Sequence, residues 1–301
     1  MGLGPQCRSD NGFTARMRWH QSWYRAQVLG VECGVGPRRG SPGRYGNMLR
    51  AEDGARGLNF LTPAIHRLAE ARLALGKGLV EPFRLRCNLL SSQPMCFNLF
   101  GHLALNLDLA TRTLAALEPE VARVEGIWLE WAPQDALNHL GDRTAFDAFV
   151  VYRTRAGQAA FFGVETKLTE PFSQSEAFDG PRYRRWVQHP AAPWRPEAAG
   201  QLADLRHNQL WRNHLLAFAM LQQPEPQFAV GAPVVVGHPK DPGLPKTLEG
   251  YRALLRDPAS LRDWPLDRLL EAATKAAQTK EDRAWAEGFK DRYLRLELSE
   301  G

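Results

Sequence analysis

Three charged residues near the middle of the chain have the types and the spacing for metal-assisted chemistry on a phosphate. Asp147 is followed by Glu165 and Lys167 in the pattern D-x17-E-x-K. Two carboxylates that lie close together repel each other unless a cation lies between them, and oxygen ligands favour Mg²⁺ or Mn²⁺ over softer metals. A lysine beside such an ion can orient or deprotonate a water, and it can stabilise the charge that develops on a phosphate under attack.

The segments that carry these residues predict a β-hairpin. Residues 144–154 and 158–168 are rich in β-branched and aromatic side chains, and Arg155 to Gly157 predict a tight turn between them. Facing residues of a hairpin have position numbers with a constant sum, so centring it on this turn places Asp147 opposite Glu165. The three residues of the pattern are therefore expected at one end of one face of the hairpin.

The neighbouring residues allow two interpretations of this face. Gly163 leaves room for a bulky backbone to approach the cluster, and the opposite face is apolar, which makes the hairpin a rigid support. The apolar residues are Ala148, Val150, Phe162 and Val164. The alternative is a plain cross-strand ion pair on an exposed sheet face, which is the commonest use of these charged residues on strands.

The flanking segments predict an α-β-β-β-α-β order of elements. A Thr-Pro start predicts a helix over about 63–75, and residues 124–133 predict a strand before the hairpin. After the hairpin, residues 201–223 have the apolar spacing of a helix, and residues 228–239 are typical of a buried strand.

Composition divides the chain into three segments. Residues 1–57 contain nine arginines and four acidic residues, and Gly, Pro and Arg dominate residues 34–54, so we expect an irregular basic arm that could face a polyanion. A preference for arginine throughout the chain, 31 Arg against 7 Lys, explains this bias equally well. Residues 58–240 contain the α/β elements, and residues 241–301 carry the patterns of a C-terminal helical cap.

The overall composition excludes several classes of protein. With 301 residues, 44% hydrophobic and 24% charged, the chain is typical of a globular protein, and its net charge of +5 permits a polyanionic partner without requiring one. The four cysteines lie far apart without a C-x-x-C pair, which argues against a zinc knuckle or a disulfide scaffold. No apolar run approaches the ~18 residues of a membrane span or resembles a signal-peptide core. We therefore expect a cytoplasmic protein with no membrane partner.

These features together resemble the PD-(D/E)XK nuclease superfamily, and more narrowly its bacterial restriction endonuclease branch. The resemblance rests on the D-x17-E-x-K pattern, on the order of elements and on the motifs GLNFL, SSQPMCFNLFG, FDAFV, GVETKLTEPF, QLWRNHLLA and DRYL, and it covers roughly residues 45–295. It implies an α/β, restriction-endonuclease-like core with a mixed central sheet flanked by helices. Ala145-Phe146 precedes Asp147, where the superfamily's name has a proline.

The resemblance also implies an activity. It predicts a metal-dependent DNA endonuclease that uses Mg²⁺, with Mn²⁺ as the alternative ion. Asp147 and Glu165 would bind the metal, and Lys167 would be the catalytic lysine. DNA would be the partner, and a homodimer is one way to cut both strands. The alternatives are a DNA repair nuclease and a nuclease-fold protein that binds nucleic acid without turnover.

Several further residues could support this site. Glu130, at the end of the first predicted strand, is expected to be an additional ligand or to hold a water, or else to be a solvated carboxylate. Gln209 and Asn213 share one face of the predicted helix, where related nucleases often place an amide that contacts the site. Ordinary helix-surface polarity explains these two amides equally well. Glu170 either orients Lys167 or caps the loop that follows it.

The stretch 181–196 after the hairpin has the composition of a nucleic-acid contact. Arg182, Arg184 and Arg185 offer phosphate donors, and Trp186 offers a stacking surface. The alternative is a loop whose aromatic side chains dock on the core.

Overall fold

A mixed sheet lies at the centre of the part of the chain that the structure describes. The computed structural model describes residues 2–36, 43–76, 80–133, 140–141, 144–172, 183, 186–202 and 206–300. Its strands are β1 Cys33–Val35, β2 Arg44–Leu49, β3 Val121–Trp131, β4 Phe146–Thr154, β5 Ala159–Lys167, β6 Val230–Gly237 and β7 Arg262–Pro265. β1 and β2 form a small antiparallel pair, and the other five form the central sheet in the order β3-β4-β5-β6-β7.

The central sheet combines both strand directions. β3, β4 and β5 are antiparallel, whereas β5, β6 and β7 are parallel. The parallel step from β5 to β6 requires a crossover connection, which a helix supplies. The predicted α/β class with a mixed central sheet and flanking helices is confirmed.

Helices cover both faces of this sheet. They are α1 Gly12–Trp23, α2 Ala51–Ala55, α3 Pro63–Ala74, α4 Pro82–Cys87, α5 Ser92–Leu105, α6 Leu107–Leu117, α7 Ala199–Leu202, α8 Asn208–Leu221, α9 Gly243–Arg252, α10 Leu266–Ala276 and α11 Lys280–Tyr293. One apolar core joins the sheet to α5, α6, α10 and α11, and a second joins its other face to α8 and α9. Among the described residues, no helix has the length and apolar character needed to cross a membrane.

The hairpin of β4 and β5 has the register that the sequence predicts. Ala148 pairs with Val164 and Phe149 with Gly163, which is the register that sets Asp147 opposite Glu165. Gly157 adopts a φ of +80° in the turn, a left-handed conformation that glycine allows without steric cost. The apolar residues predicted on the opposite face are fully buried in the first core: Ala148, Val150, Phe162 and Val164.

The N-terminal segment is more ordered than predicted. It forms α1 and the β1-β2 pair, and α1 is docked by polar contacts to the last helix. The Gln21 side chain donates to the Arg292 carbonyl at 2.6 Å, and a ring nitrogen of His20 lies 2.8 Å from the Asp291 carbonyl oxygen. The prediction of an irregular segment was wrong because the buried face of α1 is largely polar and has no apolar periodicity.

Two further elements differ from prediction. The helix expected over 201–223 is interrupted, because α7 ends at Leu202 and α8 begins at Asn208 after a turn. Asn and His are weak helix formers, and His207 and Asn208 lie at this break, where apolar spacing alone detects no interruption. The C-terminal segment also contains β7, a four-residue strand too short to show an alternating pattern.

Gly163 has a packing role that differs from the expected one. A Cβ atom at this position would lie 2.4 Å from the Phe146 ring, so that ring fills the space expected for an approaching backbone. The prediction of open space was wrong because Phe146 lies over the strand that carries Gly163.

We expect Gly163→Ala to lower the free energy of unfolding by about 1–3 kcal/mol, because the added methyl overpacks a filled site. Urea denaturation followed by circular dichroism measures this change. Gly200→Ala is the matched control, since a Cβ there meets nothing within 4 Å and the residue is helical. Equal stability of the two variants would contradict the packing role.

Candidate active site

Glu165 and Lys167 lie at the end of β5 under α8. Their relative exposures are 5% and 7%, and Lys167 Nζ lies 2.8 Å from Glu165 Oε1. The interpretation as a surface ion pair is therefore wrong, because α8 and the second core cover this face of the sheet. Buried charges lose hydration worth several kcal/mol per ion, so such a pair needs further hydrogen bonds to be stable.

Two amides of α8 supply those hydrogen bonds. Gln209 Nε2 donates to Glu165 Oε1 at 2.5 Å, and Gln209 Oε1 accepts from Lys167 Nζ at 3.0 Å. Asn213 Nδ2 donates to Glu165 Oε2 at 2.8 Å. The four-residue spacing of the amides places both above the same carboxylate, so surface polarity does not explain them.

Asp147 is held by the residue between Glu165 and Lys167. The backbone nitrogen and the hydroxyl of Thr166 each donate to Asp147 Oδ2 at 2.8 Å. Within the described residues, every hydrogen bond of this carboxylate falls on Oδ2. Burial, together with the negative charges of Glu165 and Glu130, holds the pKa of Asp147 well above its usual value.

Lys167 carries its proton firmly. Burial disfavours its ammonium form, but the charge of Glu165 and the hydrogen bond to it outweigh burial and raise the pKa of Lys167. The ammonium also lies 5.0 Å from the centre of the Phe172 ring, within the range of a cation–π contact. Lys167 is thus a fixed positive charge that can donate hydrogen bonds.

Glu130 is buried and has a strained backbone. Its φ is +52°, a left-handed conformation that among the described residues no other non-glycine residue adopts. Its Oε1 accepts from Gln93 Nε2 at 2.8 Å, and its exposure is 6%, so a solvated carboxylate is excluded. Burial raises the pKa of Glu130, and the hydrogen bond from Gln93 offsets this only in part.

Arg72 of α3 stabilises this strained segment. Its guanidinium donates to the carbonyl of Leu129 at 2.9 Å and to the carbonyl of Glu130 at 2.6 Å. A left-handed non-glycine residue costs on the order of 1–3 kcal/mol and persists only where its surroundings hold it. Arg72 is thus a positioning residue for the carboxylate of Glu130.

Glu170 anchors the loop after β5 and does not orient Lys167. Its Oε1 accepts from the backbone nitrogen of Ser92 at 2.9 Å and pairs with Arg84 at 2.5 Å. A carboxylate at this position satisfies an unpaired donor in the first turn of α5 and complements the helix dipole. The same end of α5 carries Gln93, so this contact keeps Gln93 near Glu130.

Sequence reasoning missed Thr166, Gln93 and Arg72. Thr166 lies inside the D-x17-E-x-K pattern at its unspecified position, where a hydroxyl next to two charged residues is a usable signal. Gln93 lies within SSQPMCF, a motif that marks the site end of α5. Arg72 had no signal, because it acts on backbone carbonyls that only the fold brings to it.

The structure does not support the nucleic-acid contact expected at Trp186 in residues 181–196. Trp186 is only 9% exposed, and its ring packs edge-on against Phe218 at 6.0 Å between centroids. Stacking on a base requires an exposed ring face, so Trp186 is a core residue and the docked-loop alternative applies to it. Arg182, Arg184 and Arg185 lie outside the described residues.

The donor set fits a divalent metal ion. In the described ranges, no group of three or more His, Cys, Asp or Glu side chains is arranged to hold a metal. Mg²⁺ needs no such cage, because it usually binds one or two carboxylates and completes its octahedron with waters and substrate phosphates. Asp147 and Glu165 offer hard oxygen ligands, and the charge repulsion at Asp147 is of the kind that a cation relieves.

Comparison with known protein families gives a match over nearly the whole chain. The family model of the PD-(D/E)XK nuclease superfamily matches residues 8–295, which is nearly the whole chain. Nucleases of that superfamily typically use divalent metal ions. No curated protein and no solved structure matches the chain.

The strain at residue 130 predicts an unusual order of stabilities. In an ordinary strand, Gly is less stable than Ala by about 0.5–1 kcal/mol. We expect the reverse at this position, with Glu130→Gly more stable than Glu130→Ala by about 0.5–1 kcal/mol, because Ala keeps a left-handed cost of roughly 1–2 kcal/mol. Urea unfolding of both variants measures the difference.

Glu125 on the same strand is the control. Its φ is not in the left-handed region, so Glu125→Gly should be less stable than Glu125→Ala. The same order at both positions would contradict a strained Glu130.

Proposed function

The chain belongs to the PD-(D/E)XK nuclease superfamily, and on that premise we propose that it is a metal-dependent DNA endonuclease, of the restriction type, that hydrolyses phosphodiester bonds. The observation that carries the proposal is the cluster of acidic side chains around one buried lysine. The carboxylates of Asp147 and Glu165 lie near the ammonium of Lys167, and the buried carboxylate of Glu130 lies near both of them.

This excess of negative charge supports a cation as the missing partner. Asp147 and Glu165 are the proposed ligands, and Mg²⁺ is the proposed ion because the donors are hard oxygens, with Mn²⁺ as the alternative. An ion held by Asp147 and Glu165 would act as a Lewis acid toward the phosphate and would lower the pKa of a bound water. Glu130 lies close enough to influence the pKa of Asp147 and is a supporting carboxylate.

The surrounding residues then have defined tasks. Glu165 and Gln209 take two of the three N–H donors of Lys167, and the third donates to a phosphate oxygen on which negative charge develops or to the attacking water. Gln209 and Asn213 fix the rotamer of Glu165, and Thr166 fixes that of Asp147. Preorganised donors of this kind need little rearrangement during the reaction, which is the main source of electrostatic catalysis.

DNA is the proposed substrate. Membership of a nuclease superfamily implies a nucleic acid substrate, and the net charge of +5 permits a polyanionic partner. A homodimer would bring two such sites to opposite strands. A role in DNA repair is the alternative to restriction, and it needs the same chemistry at the site.

The test of catalysis is Lys167→Met. We expect it to lower the rate of plasmid cleavage with Mg²⁺ by about 10²-fold or more, because it removes a donor aimed at the developing charge. DNA affinity, measured by fluorescence anisotropy without metal, should change little. Lys275→Met is the control, since Lys275 is exposed and pairs only with Glu271 within the described residues.

Absence of cleavage by the wild-type protein, on duplex, branched or single-stranded DNA with either ion, would reject the proposal. Salt-dependent binding in that case would favour a nuclease-fold protein that binds DNA without turnover.

The test of the metal ligands is Asp147→Asn. Without metal, we expect this variant to unfold at a higher temperature than the wild type, because it removes a buried carboxylate and keeps the acceptor for Thr166. Mg²⁺ at about 100 times its Kd should stabilise the wild type by about 2.7 kcal/mol and the variant far less. Asp267→Asn, an exposed change on α10, should respond to Mg²⁺ as the wild type does. Equal shifts in all three proteins would exclude Asp147 as a ligand.

A further inference from the structure

A cavity of about 270 Å³ lies beside Lys167. Its wall includes Lys167 itself and the loop that follows β5, so it is continuous with the candidate active site. The first residues of α9 and Asn11, which precedes α1, form the other walls together with Arg206. The cavity therefore lies between the central sheet and the N-terminal ends of two helices.

The lining has the chemistry of a nucleobase site. Phe172 and Leu244, each 8% exposed, contribute small apolar patches and no open stacking face, and Asn11, Asp241 and Thr247 offer polar groups. Asn11 Oδ1 accepts from the Thr14 backbone nitrogen, and within the described residues its Nδ2 has no acceptor.

Asp241 complements this donor with acceptors. Its Oδ1 accepts from Gly243 at 2.9 Å, which leaves Oδ2 without a donor in the part of the chain described. The cavity thus presents a donor and an acceptor beside small apolar patches, which suits the hydrogen-bonding edge of a base.

The volume limits what can enter. The cavity of about 270 Å³ is just smaller than the roughly 300 Å³ at which sites for small molecules usually begin, so its occupant is limited to a group the size of a single base and a base pair is excluded. Enzymes that need a single nucleotide from a duplex take it out of the stack and place it in a fitted pocket. The position beside Lys167 sets such a nucleotide next to the phosphate under attack.

We propose that this cavity binds one unpaired nucleotide adjacent to the scissile phosphate, so that the substrate is DNA that is opened or unpaired at the cleavage position. This inference rests on the proposed endonuclease function. Unstacking a nucleotide costs least where the base is mismatched or already single-stranded. The protein should therefore prefer DNA with a short unpaired region to fully matched duplex.

The experiment compares end-labelled duplexes of one sequence, one fully matched and one with a central unpaired bubble. The wild type should cleave within the bubble at least tenfold faster, by kcat/KM, than it cleaves the matched duplex. Thr247→Trp fills the cavity and should remove most of this preference. Glu249→Trp, an exposed position on α9 outside the lining, should keep it.

A second variant is used if circular dichroism shows that Thr247→Trp is misfolded. Asn11→Asp keeps the acceptor that caps α1 but removes the amide donor, so the fold should persist. We expect it to lower kcat/KM on the bubble severalfold and thereby to reduce the preference for the bubble over the matched duplex.

The outcomes separate the two proposals. Equal cleavage of bubble and duplex by the wild type, or an unchanged preference in the folded cavity variants, overturns the nucleotide cavity and leaves the endonuclease function in place. No cleavage of either substrate by the wild type rejects the endonuclease function and the cavity with it.

Discussion

The buried ion pair between Lys167 and Glu165 is the interaction on which the site depends. Both charges are shielded from water, so their stability requires the amides of α8, and Gln209 contacts both partners at once. Removing one member of such a network leaves an uncompensated charge, which typically costs about 3–5 kcal/mol. α8 is therefore fixed over β5 by directional hydrogen bonds as well as by apolar packing. The sheet and this helix form one rigid support for the chemistry.

Several features of the site also destabilise the folded state, and the rest of the fold must offset them. Glu130 has a left-handed backbone, and Asp147 is a carboxyl group near two other carboxylates. Proteins accept such costs where function needs a particular geometry, and activity is often lost when they are removed. Two apolar cores, one on each face of the sheet, supply the offsetting stability. Arg72 of α3 and Gln93 of α5 hold Glu130 in place through hydrogen bonds.

The elements that could be predicted from the sequence are those whose side chains follow a regular period. Strand alternation and the turn at Gly157 determine the hairpin register, and the register determines where Asp147 and Glu165 meet. The left-handed backbone of Glu130 leaves no periodic pattern in the sequence, and glutamate rarely adopts this conformation, so it could not be predicted. The same holds for contacts to backbone carbonyls, as with Arg72.

Burial of polar side chains explains other differences between sequence and structure. α1 hides a largely polar face, so its pattern resembles that of a loop until its partners in α11 are known. Trp186 shows the opposite error, because an aromatic residue among arginines suggests a binding surface although packing decides its exposure. The space over Gly163 could not be assigned from sequence, since it depends on the rotamer of Phe146.

The docking of α1 has a consequence for the order of folding. His20 and Gln21 are synthesised long before Asp291 and Arg292, to whose carbonyls they are hydrogen-bonded. Contacts of such high sequence separation carry a large loop-closure entropy and form slowly. The contacts between α1 and α11 cannot form on the nascent chain until α11 has emerged from the ribosome. The packing of α1 on α11 is therefore completed after the hairpin and α8 have had time to assemble.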